Sequence, residues 1–179
     1  MKNHWTHIAT AIACMLAGPC TSGAQAAAPA PCAGPEAMQF DFWIGDWDVS
    51  SPDGKPAGTN RIERLYGCVL HESWSGSNGK VLGQSLNRWD ADRGVWHQTW
   101  VDNQGGLLLL EGRFAEGAMT LDDATVPGRK DPNALNRVRW SVNADGSVRQ
   151  LWSASGDGGK TWKVVFDGKY VRSARPQPK

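Results

Sequence analysis

The sequence predicts an all-β protein: a single antiparallel up-and-down β-barrel of about ten strands, entered through a short helical turn. Three observations carry this reading. Turns rich in Gly, Asp and Asn recur at short intervals from residue 51 onward, the segments between them alternate apolar and polar side chains, and helical periodicity does not recur after residue 40.

The chain has 179 residues, and residues 1–28 read as a cleavable signal peptide. Met1 to His7 give a short, weakly basic start, Ile8 to Gly18 an apolar stretch of 11 residues, and Thr21 to Ala28 a small-residue exit containing Ala24-Gln25-Ala26. The stretch is too short to span a hydrocarbon core of about 30 Å, and no later segment approaches 18 apolar residues, so no stable membrane insertion is expected. A lipoprotein anchored through Cys14 or Cys20 is the alternative, although neither cysteine follows a leucine-led lipobox. What remains has room for one domain, placed in the periplasm or outside the cell. Removal of the leader takes away one Lys and leaves basic and acidic groups balanced, which gives no hint of nucleic acid or of an anionic membrane as partner.

Residues 29–39 form a lead, rich in Pro and Ala as far as Pro35, and Glu36 to Phe40 then makes one helical turn into the barrel domain. Cys32 in the lead and Cys68 are the only cysteines left after cleavage, and in an oxidising compartment they are most simply a disulfide tying the lead to the third strand. Closing that loop stabilises by roughly 3–4 kcal/mol on the chain-entropy account; two independent buried thiols are the alternative. Two His, at 71 and 97, and these two Cys give no pair at metal-ligand spacing, so neither metal nor cofactor is called for.

The barrel domain covers 40–174, with a tail at 175–179. Its strands are expected at 41–50, 58–66, 68–75, 80–90, 95–102, 107–115, 118–124, 135–143, 147–154 and 161–173. Turns such as Pro52-Asp53-Gly54, Ser77-Asn78-Gly79, Asp92-Arg93-Gly94 and Ala144-Asp145-Gly146 separate them. Consecutive hairpins form a meander, and closure into a barrel removes its exposed edges; a two-sheet sandwich is the alternative. Alternation assigns to the inward face Leu70, Glu72 and Trp74; Trp96, Gln98 and Trp100; Val138, Trp140 and Val142; Val148, Gln150 and Trp152; and Trp162, Val164, Phe166 and Tyr170. His71 and His97 fall on the polar outer face.

Phe40-Asp41-Phe42-Trp43-Ile44-Gly45-Asp46-Trp47-Asp48-Val49 is the most distinctive stretch. Its Gly45-x-Trp47 resembles the G-x-W signature of the calycins, the lipocalin and fatty-acid-binding barrels. That resemblance implies a Trp plugging the closed end of the barrel and a late Arg packed over it, for which Arg172 is the candidate. The same stretch, with Gly67-Cys68-Val69-Leu70 and Trp96-His97-Gln98-Thr99-Trp100-Val101-Asp102, is similar to a group of small exported bacterial proteins of unassigned function. A haem-binding role like that of the nitrobindin barrels needs a His entering the cavity, and neither His does. Ser155-Gly156-Asp157-Gly158-Gly159-Lys160-Thr161-Trp162 resembles the Asp-box of sialidase propellers, but one copy in a chain of about ten strands reads as a rigid turn.

Glu72, Gln98 and Gln150 alternate with Trp on the inward face, where polar groups cost free energy unless they are satisfied. Arg64, on the second strand, is expected to oppose Glu72. This mixture resembles a lined cavity, with Trp74, Trp100, Trp140 and Trp152 as walls and Arg64, Glu72, Gln98 and Gln150 as polar contacts for a small apolar or aromatic ligand. One alternative is a cofactor-independent isomerase or hydratase using Glu72 as acid or base. Another is a filled barrel acting as an interaction module. No G-x-S-x-G elbow occurs, and Asp122-Asp123 and Asp145 read as turn and edge residues rather than a catalytic pair.

Overall fold

The computed structural model describes Cys32, residues 34–128 and residues 131–174. The expected signal peptide and tail lie outside the described residues. Two 3-10 turns, Pro35–Met38 and Asp41–Trp43, lead into β1 (Gly45–Ser50), β2 (Pro56–Leu65), β3 (Val69–Gly76), β4 (Leu82–Asp90) and β5 (Val95–Asp102). The chain continues through β6 (Leu107–Ala115), β7 (Ala118–Asp122), β8 (Leu135–Val142), β9 (Val148–Ser155) and β10 (Lys163–Arg172). Every strand pairs antiparallel with its neighbours in the chain, and β1 pairs with β10 to close the barrel. No edge is left to pair with another molecule. Among the described residues no helix is long and apolar enough to cross a membrane.

The first strand starts at Gly45 rather than 41 because Phe40 and Trp43 are spent on a plug. Phe40 stacks on Trp43 at 4.9 Å and meets the edges of Trp96 and Trp140 at 5.7 and 5.1 Å, all four rings buried. Trp47 joins them, its Nε1 donating to the Trp43 carbonyl at 2.8 Å. Over the Trp47 ring lies the Arg172 guanidinium, 4.0 Å from the ring centre, and it donates to the Ile44 carbonyl at 2.5 Å. That guanidinium passes so close to Gly45 that a Cβ there would sit 1.7 Å from its Nη1, and Gly45 itself has φ of 139°. Glycine, tryptophan and arginine are thus one interlocked unit that joins the first strand to the last.

The disulfide joins Cys32 to Cys68 with Cα atoms 5.3 Å apart. Cys68 sits in the turn before β3, at the plugged end, so the bond holds the lead beneath the plug rather than against the strand itself.

Three expected inward residues are not in the lumen. A bulge at Val165 shifts the β10 register, so Val164 pairs with the outward Ser153 and is 63 % exposed. Trp162 precedes β10 and lies against the Arg137 guanidinium, its Nε1 closing on the Gly159 carbonyl. Val142 keeps the alternation but ends β8 at the plugged rim, where it is 49 % exposed. The Asp-box segment is a self-contained turn: Asp157 accepts from the Thr161 amide and hydroxyl and from Ser155.

Gly45→Ala is expected to destabilise the protein by roughly 2–4 kcal/mol, because the new methyl meets the guanidinium at an unfavourable φ. Measured against Arg172→Ala alone, the same substitution should cost only about 1 kcal/mol, the backbone part. Urea unfolding of the four proteins checks this cycle.

Candidate functional site

Opposite the plug the barrel opens on a cavity of about 340 Å³. Trp74, Trp100, Trp140, Trp152, Phe166 and Tyr170 line it, together with Glu72, Gln98 and Gln150. Strands β3, β5 and β9 run from plug to mouth, and each places an apolar residue deepest, a polar one in the middle and a Trp above. The series are Leu70, Glu72, Trp74; Trp96, Gln98, Trp100; and Val148, Gln150, Trp152. The lumen therefore has an apolar floor, a polar belt and an aromatic mouth.

Glycines on neighbouring strands let the mouth rings lie flat against the wall. A Cβ at Gly83 would stand 2.2 Å from the Trp100 ring, and one at Gly58 2.7 Å from Trp74. Two of the mouth indoles are also tied down through their N–H groups: Trp100 Nε1 donates to Asp102 Oδ2 and Trp152 Nε1 to Asn136 Oδ1, both at 3.0 Å. The Gln150 carbonyl accepts from Trp140 Nε1 at 3.0 Å and from the Tyr170 hydroxyl at 2.6 Å. Gln150 therefore fixes ring orientation and has little acceptor capacity left for a ligand.

Glu72 is 3 % exposed and sits in a network of uncharged side chains. Asn60 Nδ2 donates to its Oε1 at 2.7 Å and Ser85 Oγ to its Oε2 at 2.6 Å. Ser85 in turn accepts from Asn87 Nδ2 at 2.8 Å, and Gln98 Nε2 donates to Asn87 Oδ1 at 2.8 Å. Burial pushes the Glu72 carboxyl up to about 7, against the lowering effect of the Ser85 and Asn60 hydrogen bonds. The Tyr170 hydroxyl is raised as well, by burial first and then by the charge of Glu72. The Asn60 Oδ1 has no hydrogen-bond partner among the described residues. Turned over, the same amide would present Oδ1 to a protonated Glu72, so both protonation states of the acid can be satisfied.

Arg64 is not the partner of Glu72. The β2–β3 register sets Ile62 opposite Glu72 and Arg64 opposite Leu70. Its guanidinium turns to the plugged end, where it meets the Asp41 carboxylate and the Gly67 carbonyl. Tyr66 lies in the turn that follows β2 and is 91 % exposed. Among the described residues no ion pair is formed by Glu72, and its environment is supplied by Asn60, Ser85 and Asn87, which alternation did not point to. On β4 the usual alternation is inverted, with Gly83, Ser85 and Asn87 inward and Leu82 and Leu86 exposed. Cross-strand register from Glu72 and Gln98 is the signal that finds them, since Glu72 faces Ser85 and Gln98 faces Asn87.

His71 and His97 lie on the outer face. His71 bonds Glu63 and Gln84, and His97 lies between Glu111 and Thr99 at 3.2 and 2.9 Å. The latter is a hydroxyl–imidazole–carboxylate line, but it runs along the outer wall, and Glu111 is also held by both Arg93 nitrogens. Those Arg93 hydrogen bonds keep the Glu111 carboxyl below the ordinary range. Comparison of the sequence with protein-family models and with curated proteins returns no match.

The raised Glu72 carboxyl makes a stability prediction. Its folded value, about 7, lies above the ordinary 4.5, so the protein gains stability from the bound proton below pH 4.5 and loses it as pH rises to 7. Glu72→Gln should therefore be more stable than the wild type by about 3 kcal/mol at pH 8 and equal to it at pH 4. Urea denaturation at the two pH values measures the difference.

Proposed function

We propose that the protein binds a small aromatic or largely apolar molecule in the barrel lumen, and that it does so as an exported, calycin-like carrier or receptor. The observation that supports this most directly is the open cavity of about 340 Å³ whose aromatic walls are held flat by glycines and side-chain hydrogen bonds. A core that merely needed filling would turn those rings inward; here each is anchored in a position that leaves space. Trp74, Trp100 and Trp152 would stack on the ligand at the mouth, Trp140 would form the deeper wall, and Glu72 and Gln98 would meet its polar end. Trp residues are absent from the exposed large hydrophobics of the described residues, which speaks against a filled barrel displaying a Trp patch. The disulfide suits an oxidising compartment outside the cytoplasm.

One observation favours a second reading. A buried carboxyl that lines the cavity and titrates near 7 has the poise of a general acid or base, as a cofactor-independent isomerase or hydratase would require. Turnover of a bound compound, abolished in Glu72→Gln, would select that reading over simple binding.

Native mass spectrometry of protein taken from its own exported fraction should show a retained small molecule, and an aromatic panel should quench the Trp fluorescence. Trp100→Leu should keep the fold and weaken binding about tenfold, the loss expected for one stacking wall. Equal affinity in Trp100→Leu would remove the lumen from consideration.

A further inference from the structure

The charged residues lining the cavity are Glu72 and Asp102, both acidic; Lys, Arg and His do not contribute to it among the described residues. Asp102 stands at the mouth, and the Trp100 N–H followed by the Gly106 amide hold its carboxyl below the ordinary range, so it is ionised at neutral pH. Glu72 lies two residues deeper along the neighbouring wall, beneath Trp74. The belt is also short of donors for a ligand. Gln98 Nε2 already donates to Asn87 and Asn60 Nδ2 to Glu72, whereas Glu72, which lines the cavity, is an acceptor. The cavity around it is lined by Trp, Phe and Tyr rings, aromatic groups whose faces attract positive charge.

We propose that the lumen selects an organic ammonium ion: an aromatic amine, bound as its cation, with the ring between the mouth tryptophans and the N–H donors on Glu72. The proposal rests on the lumen-binding reading and names its ligand class. Such a ligand supplies the counter-charge that Arg64 does not, and it brings the donors that the belt lacks. An anion of the same shape would meet two carboxylates, and a neutral molecule would leave Glu72 as it is. Binding is then coupled to pH. The groups facing Glu72 are Tyr170 from β10 and uncharged Asn60 from β2 and Ser85 from β4, with His71 its titratable neighbour on the outer side of β3. An ammonium ion favours the ionised acid, so it must displace the Glu72 proton when the pH is below about 7.

The test compares three compounds with one ring system by isothermal titration calorimetry: 1-naphthylmethylamine, 1-naphthalenemethanol and 1-naphthoate. At pH 8 the amine should bind about tenfold or more tighter than the alcohol, and the naphthoate weakest. Glu72→Gln should bring the amine to the level of the alcohol while the alcohol shifts less than about threefold. In the wild type the advantage of the amine should shrink about tenfold or more between pH 8 and pH 5.5, with the alcohol unchanged, a measurement that stands even if the variant does not fold. Alcohol binding as tightly as amine, or naphthoate binding tightest, would overturn the cation proposal and leave the lumen reading in place. No binding of any of the three by protein with an intact near-UV spectrum would overturn both.

Discussion

A ten-strand barrel encloses more volume than the inward side chains of its own strands fill, and where that volume goes decides everything else about this molecule. Near the chain's entry it is consumed by Phe40, Trp43, Trp47 and Trp140, packed into a plug that the Arg172 guanidinium covers and the Cys32–Cys68 bond holds from below. The plug works only because Gly45 lets β1 begin beside that guanidinium, and the same contact draws β10 against β1. With one end sealed and the seam fixed, the surplus volume is displaced to the other end. Gly83 and Gly58 then keep it open by giving Trp100 and Trp74 a flat place to lie. Closure and cavity are therefore two results of one distribution of ring and glycine positions.

Much of this was legible in the sequence because its signals are local. The turns mark ten strands to within a few residues, and the alternation on β3, β5 and β9 gives the floor, belt and mouth directly. What failed needed information from a partner strand. Arg64 shares a parity with Ile62, but only the register shows that it stands opposite Leu70 and that Asn60 is the residue reaching Glu72. The bulge at Val165 has no apolar signature, so alternation carried Val164 to the wrong side. On β4 the rule that apolar means inward is reversed, because the inward positions complete a hydrogen-bond network while Leu82 and Leu86 face out. Residues 41–44 of the plug were expected as the start of the first strand, whereas the chain is in a 3-10 turn over Asp41–Trp43. Each miss is a case of tertiary pairing overriding local periodicity.

The polar belt departs from what stability alone would select. Asn60, Ser85, Asn87 and Gln98 would form a satisfied network around a Gln at position 72 as well as around a Glu, without the cost of desolvating a charge. A structural role for Glu72 therefore leaves its acidity unexplained. Nor does an ion pair explain it, since Arg64 on the neighbouring β2 is committed to Asp41 at the plugged end. An acid kept in a desolvated position, open to a cavity and close to its own titration point, is instead the arrangement expected where stability has been given up for chemistry or recognition. The rings above it extend the same logic: Gln150 spends its carbonyl on holding Trp140 and Tyr170, and Asp102 spends one oxygen on Trp100. The polar groups of the belt thus divide between fixing the aromatic walls and building the setting of one carboxyl, that of Glu72.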